Sequence, residues 1–505
     1  MDRPRLQILY VCAALAAACL PPMAQGADTP DADTHDFTNF DGRSIRGRVL
    51  SYEKGEARVR RDDGQTVVLS VSDLTSADET FLDEWKRRQA ARRPLGSSES
   101  PGLGANAQVA PEALNSALGQ PLFLGAEALW KSSPEGVAAR LKWPRESRTP
   151  AQSSFRAYPD ASYRMAGARP FSAALYGEGN AVTSLSLVFA NRGDSFGARG
   201  GAEQHFDRDD TLPADAGERL RAAIKSDADA VAGALTALLG EPEKQNYGEG
   251  EGRRRVRRWD WVGHAFLLSE EDDQYVGLLV VPSEFADQRG KTARVSDAAV
   301  RERIRGQVER RPNGDVVVSG IPMVDQGPKG YCAPATCERA MRHVGVAADM
   351  YLLAVAGGTG LGGGVSIERL LETVGRDLRR KGRSFETFDG PMAFKKLARH
   401  LDEGVPILWR MDSVEAFNSL ATERTKERRK VTDWTEWKNA LATDADGAAI
   451  AKDDKHAHCT LIIGYNKETG EIAFSDSWGE RFQERWVRLE EAQAVSSGAF
   501  YVIGL

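Results

Sequence analysis

A proline two residues beyond a cysteine fixes where one helix of this 505-residue chain has to begin. Pro334 has no amide hydrogen and a locked φ, so it fits only the first turn of a helix. Downstream of it, Cys337, Ala340, Met341 and Val344 recur at spacings of three and four and make one apolar stripe. Cys332 is thereby set at the helix N-terminus. There, unpaired amides and the positive end of the dipole favour thiolate over thiol.

A second constraint lies far along the chain. Residues 456–465, His-Ala-His-Cys-Thr-Leu-Ile-Ile-Gly-Tyr, form a β-branched apolar run that predicts a buried strand. A loop over 466–470 returns through Ile472-Ala473-Phe474 to Asp476-Ser477-Trp478-Gly479. A histidine entering one strand and an acid ending its hairpin partner are placed to touch. A thiolate beside an imidazolium held by an anion is the arrangement that activates cysteine for acyl transfer, because the carboxylate fixes the imidazole tautomer.

With these residues in view, the region over 293–505 resembles a papain-like cysteine peptidase, closest in style to the bacteriocin-leader-processing branch. Three patterns carry the resemblance. Gln326 stands six residues before Cys332, the family interval between oxyanion-hole glutamine and nucleophile. His458 stands six residues before Gly464-Tyr465, and Asp476-Ser477-Trp478-Gly479 matches the family's Asn-Ser-Trp-Gly, followed by Arg485-Trp486-Val487-Arg488-Leu489 as its closing strand. The resemblance implies a Cys332 nucleophile, a His458 acid–base, Asp476 orienting His458, and Gln326 with the Cys332 amide holding the oxyanion. It implies a peptide or protein substrate and no cofactor. Asp476 replaces asparagine, as it does in the leader-peptidase branch, and the residues around Cys332 lack the tryptophan that follows the papain cysteine.

Other readings of the same residues compete. His456 shares a strand face with His458, and only the interval to Gly464-Tyr465 separates them. Zinc would have suitable ligand types in Cys332, Cys337, His456, His458 and Cys459. Cys332 and Cys337, however, lie about 140° apart around a helix axis, and His458 and Cys459 face opposite ways along a strand. No metal is expected, and Cys337 and Cys459 are expected to be core thiols. Gly358-Thr359-Gly360-Leu361-Gly362-Gly363 satisfies a dinucleotide fingerprint formally, but the residues before it read as helix. A charged segment with Lys426-Glu427-Arg428-Arg429-Lys430 and Trp434 sits between the strand at Pro406-Ile407-Leu408-Trp409 and His456; a solvated surface helix is its expected form. The functional rivals are an inactive peptidase-like fold serving in envelope interactions, and another acyl-transfer enzyme on the same site, a cell-wall amidase or transglutaminase-like transferase.

The preceding residues divide by composition. Arg3 and Arg5, an apolar run over 8–20 and Ala24-Gln25-Gly26 predict a secretory signal over 1–26, hence export to the periplasm or beyond. A lipoprotein-type cut before Cys19 is disfavoured, because Leu15 stands one position too early. Losing Asp2, Arg3 and Arg5 leaves 65 basic against 72 acidic residues, a net charge of −7 that gives no reason to expect nucleic acid. Cys332, Cys337 and Cys459 are then the remaining cysteines, an odd number that excludes a disulfide scaffold.

Alternating runs around Asp63-Gly64, then a helix from Thr75 with Asp78 three residues on, predict a small β-barrel over 36–90. That stretch resembles the Sla-type homology module in Phe40-Asp41-Gly42-Arg43, Asp62-Asp63-Gly64 and Leu74-Thr75-Ser76-Ala77-Asp78, which implies a peptide partner. Residues 91–112 read as linker. An α+β domain is expected over 113–288, with a hairpin at 171–190, a helix at 216–239 stopped by Gly240, and a meander over 256–281. Its Arg253-Arg254-Arg255 run, with Arg257, Arg258, Trp259 and Trp261, reads as a solvated strand face, not a nucleic-acid patch. The whole is a multidomain α+β chain, comprising a small N-terminal β-barrel, an α+β middle domain and a C-terminal papain-like peptidase fold. No membrane span is expected beyond the signal.

Overall fold

The computed structural model describes residues 33–38, 44–53, 56–71, 74–92, 109–125, 127–195, 214–291, 295–328, 330–361, 364–443, 450 and 457–505. Residues 1–26, Phe40-Asp41-Gly42-Arg43, His456, Gly362-Gly363 and most of the 91–112 stretch lie outside them. The chain separates into two compact units, Met1–Glu99 and Ser100–Leu505.

In the first unit, β1 (Thr34–Thr38), β2 (Ser44–Glu53), β3 (Glu56–Arg61) and β4 (Thr66–Ser70) form an antiparallel sheet in simple sequence order. The sheet is open, which corrects the closed barrel expected from the sequence. β1 pairs with β2 and β4 with β3, and among the described residues no ladder joins β1 to β4. Four short strands offer too little tilt and stagger for closure, and the helix Ser76–Arg92 supplies the missing cover instead. Its Leu82 and Trp85 pack with Phe37, Val49, Ala57 and Val59. Asp78 fastens the helix to the sheet, accepting from Thr75 Oγ1 at 2.6 Å and from the Thr38 amide at 3.0 Å, with His35 Nε2 2.8 Å away. The Sla-type resemblance gains no support from this geometry.

The second unit carries two eight-stranded sheets. In the first, β5 (Arg145–Arg148), β6 (Gln152–Ala157), β7 (Ser172–Glu178), β8 (Ala181–Asn191), β9 (Glu243–Tyr247), β10 (Arg254–Trp261), β11 (His264–Glu271) and β12 (Tyr275–Pro282) are ordered β5-β6-β7-β8-β12-β11-β10-β9. The amphipathic helix Ala216–Leu239 buries Leu220, Ile224, Val231 and Leu235 in the core with Leu185, Leu187, Trp259 and Phe266 and ends at Gly240. The arginine run of β10 is not a free cationic face: Arg257 pairs with Glu270 at 3.1 Å, and Arg258 with Asp260 and Asp287 at 2.7 Å. Trp259 and Trp261 are buried, their indole N–H groups donating to the Gly240 and Val109 carbonyls.

The other sheet runs β13 (Val308–Arg310), β14 (Val316–Val318), β17 (Ala457–Asn466), β16 (Ile407–Asp412), β20 (Ser496–Gly504) and β15 (Ser384–Asp389), while β18 (Glu471–Ser475) pairs with β17 and β19 (Arg485–Arg488). The helix Cys332–His343 lies against this sheet; its Thr336 Oγ1 donates to the Cys459 carbonyl at 3.0 Å. Trp409, Phe417, Phe474 and Phe500 are fully buried at the centre, each contributing about 1.5–3 kcal/mol through burial.

The charged segment is solvated at Lys426, Glu427, Arg429 and Lys430, as expected, but the helix Glu415–Arg428 that leads into it also has an interior face. It buries Phe417 and Ala421, and its arginines turn inward. Arg428 donates to Asp315 and Glu471 and lies 3.7 Å from the Trp486 ring centroid. Arg424 reaches Glu491 at 2.6 Å. In these pairs each buried guanidinium faces a carboxylate, so a helix carrying arginines can have an interior face without an uncompensated charge.

Candidate active site

Three segments converge at one end of the second sheet. The helix Cys332–His343 presents Cys332 in its first turn, with Pro334 two positions later. β17 brings His458, and the residue following β18 is Asp476. The hairpin register pairs Leu461 with Ser475, which carries the acid back to the level of the histidine.

His458 Nε2 is 2.9 Å from Asp476 Oδ1, and both side chains are buried. The Cys332 thiol hydrogen-bonds the same imidazole. Cys332 is partly exposed, whereas Cys337 and Cys459 are buried and free. Burial by itself raises the Cys332 thiol, but the His458 hydrogen bond and charge outweigh it and hold the thiol below its ordinary value. Burial likewise opposes the imidazolium, yet the hydrogen bonds to Asp476 and Cys332 hold His458 up at about 9. For Asp476 the cost of burial is offset by Arg485 and His458, so its carboxyl titrates well below the usual range. All three shifts run in the direction of a thiolate–imidazolium–carboxylate line. Cys337, by contrast, is pushed up to about 12 by burial.

Two buried arginines that no motif marks brace this corner, Arg485 on the acid itself and Arg339 on the residues beside it. Arg485 Nη2 donates to Asp476 Oδ2, the oxygen His458 leaves free, and also to Asn418 Oδ1 at 2.9 Å. Its guanidinium is enclosed by aromatic rings, 4.6 Å from the Phe474 centroid and 5.3 Å from that of Phe482. Arg339, on the same helix as Cys332, donates to the Ser475 carbonyl at 3.0 Å and the Pro322 carbonyl at 3.1 Å. Desolvation lowers it to about 10. Arginine spacing gives no local signal for such pairs, because their partners come from other elements. Trp478 packs on the imidazole with ring centroids 4.9 Å apart.

Gln326 is buried beside this line. Its backbone N–H donates to the Ser477 carbonyl at 2.8 Å, and its side-chain Oε1 has no hydrogen-bond partner. That tie fixes the glutamine to the Asp476-Ser477-Trp478 segment. Among the described residues no group of three or more His, Cys, Asp or Glu side chains converges on a metal site, and no helix is long and apolar enough to cross a membrane. A cavity of about 840 Å³ elsewhere in the unit is lined by Tyr176, Arg254, Tyr275 and Asp349 and is bordered by none of Cys332, His458, Asp476 or Gln326.

An activated thiolate with an adjacent proton donor can attack a carbonyl and protonate the departing group. No curated protein matches the chain. Among solved structures, the peptidase domain of Streptococcus ComA, a bi-functional ABC transporter involved in a quorum sensing pathway, is similar at 12% identity. The alignment covers 36% of this chain and 96% of that one with a TM-score of 0.24. Residues 318–497 match the model of the Peptidase_C39 like family, so the C-terminal region of the chain is cysteine-peptidase-like.

Proposed function

We propose that the chain hydrolyses peptide bonds with Cys332 as nucleophile, His458 as acid–base, Asp476 as the anion that orients His458, and Gln326 as an oxyanion donor. The observation that carries the reading is the hydrogen-bonded line from the Cys332 thiol through the His458 imidazole to Asp476. The Cys332 thiolate attacks the scissile carbonyl carbon, and the oxygen that becomes negative is held by the Gln326 amide and the Cys332 N–H. The tetrahedral adduct collapses as His458 gives its proton to the leaving amine, which departs and leaves a thioester. Neutral His458 then takes a proton from water, and the hydroxide attacks the thioester carbon. Collapse of that adduct releases the carboxylic acid and returns the thiolate. Losing one oxyanion donor costs about 2.7–4 kcal/mol of transition-state stabilisation. Export through residues 1–26 is part of this reading and rests on the sequence of that segment.

The test is hydrolysis of a peptide library by the full chain beside Cys332→Ala and Gln326→Ala. The reading expects cleavage that falls at least about 1000-fold in Cys332→Ala and about 100–1000-fold in Gln326→Ala. Cleavage of equal rate in Cys332→Ala would overturn it.

A further inference from the structure

The two backbone segments that carry Gln326 and Cys332 are held as much by the first sheet of the unit as by the peptidase-like sheet. Beside Gln326, the Met323 N–H donates to Ser147 Oγ at 2.9 Å and the Asp325 N–H to Glu146 Oε1 at 2.8 Å. The hydroxyl of Tyr158 donates to the Asp325 carbonyl. Glu146 is itself locked by Arg156 at 2.5 Å, with both side chains buried. Next to Cys332, the Tyr331 hydroxyl donates to Asn191 Oδ1 at 2.7 Å, and Asn191 is fixed by the Asp194 amide at 2.8 Å. The fit is steric as well as polar. A Cβ on Gly327, whose φ of +70° already favours glycine, would lie 2.6 Å from the Tyr158 ring. One on Gly193 would lie 2.1 Å from the Tyr331 hydroxyl.

These contacts span 140 to 179 residues of sequence and fall on the immediate neighbours of the two residues whose relative placement defines an oxyanion hole. From the peptidase-like side, the Ser477 carbonyl accepts from the Gln326 N–H and Arg339 donates to the Pro322 carbonyl. Hydrogen bonds to a loop's backbone set its position without touching substrate, and misplacement by about 1 Å costs up to about 100-fold in rate.

We infer that the β5–β12 sheet is part of the catalytic apparatus, with Tyr158 and Glu146 positioning the Gln326 segment and Asn191 positioning the start of the Cys332 helix through Tyr331. The inference rests on the peptidase reading above. It assigns the middle of the chain a role in transition-state geometry.

The experiment uses the full chain with Tyr158→Phe and Tyr331→Phe, each of which deletes one hydroxyl and keeps the ring, and Ser147→Ala as a second variant on the Gln326 segment. Hydrolysis of the best library peptide is measured together with the pH dependence of Cys332 alkylation by iodoacetamide, and circular dichroism selects variants that fold. Tyr158→Phe and Ser147→Ala are expected to lower kcat by about tenfold or more with KM within about twofold, while the alkylation midpoint stays in place. Tyr331→Phe is expected to raise that midpoint by about half a pH unit, because the helix N-terminus no longer faces the thiolate in its native pose. Folded variants with wild-type kcat and an unmoved midpoint would overturn the inference while leaving the peptidase reading intact. A wild type with no Cys332-dependent hydrolysis would overturn both.

Discussion

Arg485 donates to the Asp476 oxygen that His458 leaves free, so one buried carboxylate is shared between a fixed cation and an imidazole. The relationship divides two duties that a lone carboxylate would have to combine. Arg485 balances the charge that burial makes costly, and the remaining oxygen accepts a hydrogen bond of set direction from His458 Nε2.

Removing Arg485 should therefore act first on stability. Arg485→Met leaves Asp476 buried beside His458 without its cation and is expected to lower unfolding free energy by about 3–5 kcal/mol, read as the shift of a urea or guanidinium midpoint. Arg485→Lys keeps the charge without the planar fork and should recover part of the loss. A Met variant as stable as wild type would contradict the pairing.

Asp476→Asn separates orientation from charge. The amide can still hydrogen-bond His458, but the anion that helps hold the imidazole up at about 9 is gone and Arg485 is left uncompensated, so His458 must titrate lower. Wild-type turnover should persist toward pH 9 and fall above it, as the proton needed by the leaving amine is lost. In the variant that alkaline limb should move toward neutrality, with kcat reduced more than KM changes. An alkaline limb at the same pH in both proteins would argue against Asp476 as the source of the shift.

Asp325 gives a stability signature at acid pH. Burial raises its carboxyl to about 6, against 3.8 when unperturbed. Between these values the folded state binds more protons than the unfolded one. The contribution of this group to stability thus falls as pH rises from about 4 to 6 and stays lost above. The loss is on the order of 2–3 kcal/mol. Asp325→Asn should flatten the stability profile over that window, measured by denaturant melts at half-unit pH steps. An unchanged slope would show that Asp325 ionises normally.

Features set by near neighbours in the chain were legible in the sequence. Pro334 and the apolar stripe after it mark the helix that carries Cys332, and the run over 456–465 with its return to Asp476 marks the β17–β18 hairpin. The hairpin accounts for why His458 and Asp476 meet, whereas Cys332 joins them through long-range packing of its helix on β17, where Thr336 donates to the Cys459 carbonyl. What escaped depends on partners far apart in sequence. Nothing near Arg339, Arg428 or Arg485 announces that each will be buried, because the acids and carbonyls that satisfy them lie on other elements. Within Lys426-Glu427-Arg428-Arg429-Lys430 only Arg428 departs from the solvated form, and its partners Asp315 and Glu471 lie far away in the chain. Tyr158 and Asn191 carry no motif, and their contacts to Asp325 and Tyr331 follow only from the packing of the β5–β12 sheet. In the N-terminal unit the alternating runs located strands, but whether β1 meets β4 is a question of tilt that alternation does not encode.

The most direct test of the account is intact-mass analysis of the full chain after brief exposure, near neutral pH, to an epoxide inhibitor of papain-like enzymes, beside Cys332→Ala. The thiolate held by His458 predicts a single adduct on the wild type and none on the variant, with Cys337 and Cys459 silent because burial keeps both as thiols. A folded wild type that takes up no adduct, or one whose adduct persists in Cys332→Ala, would contradict an activated Cys332.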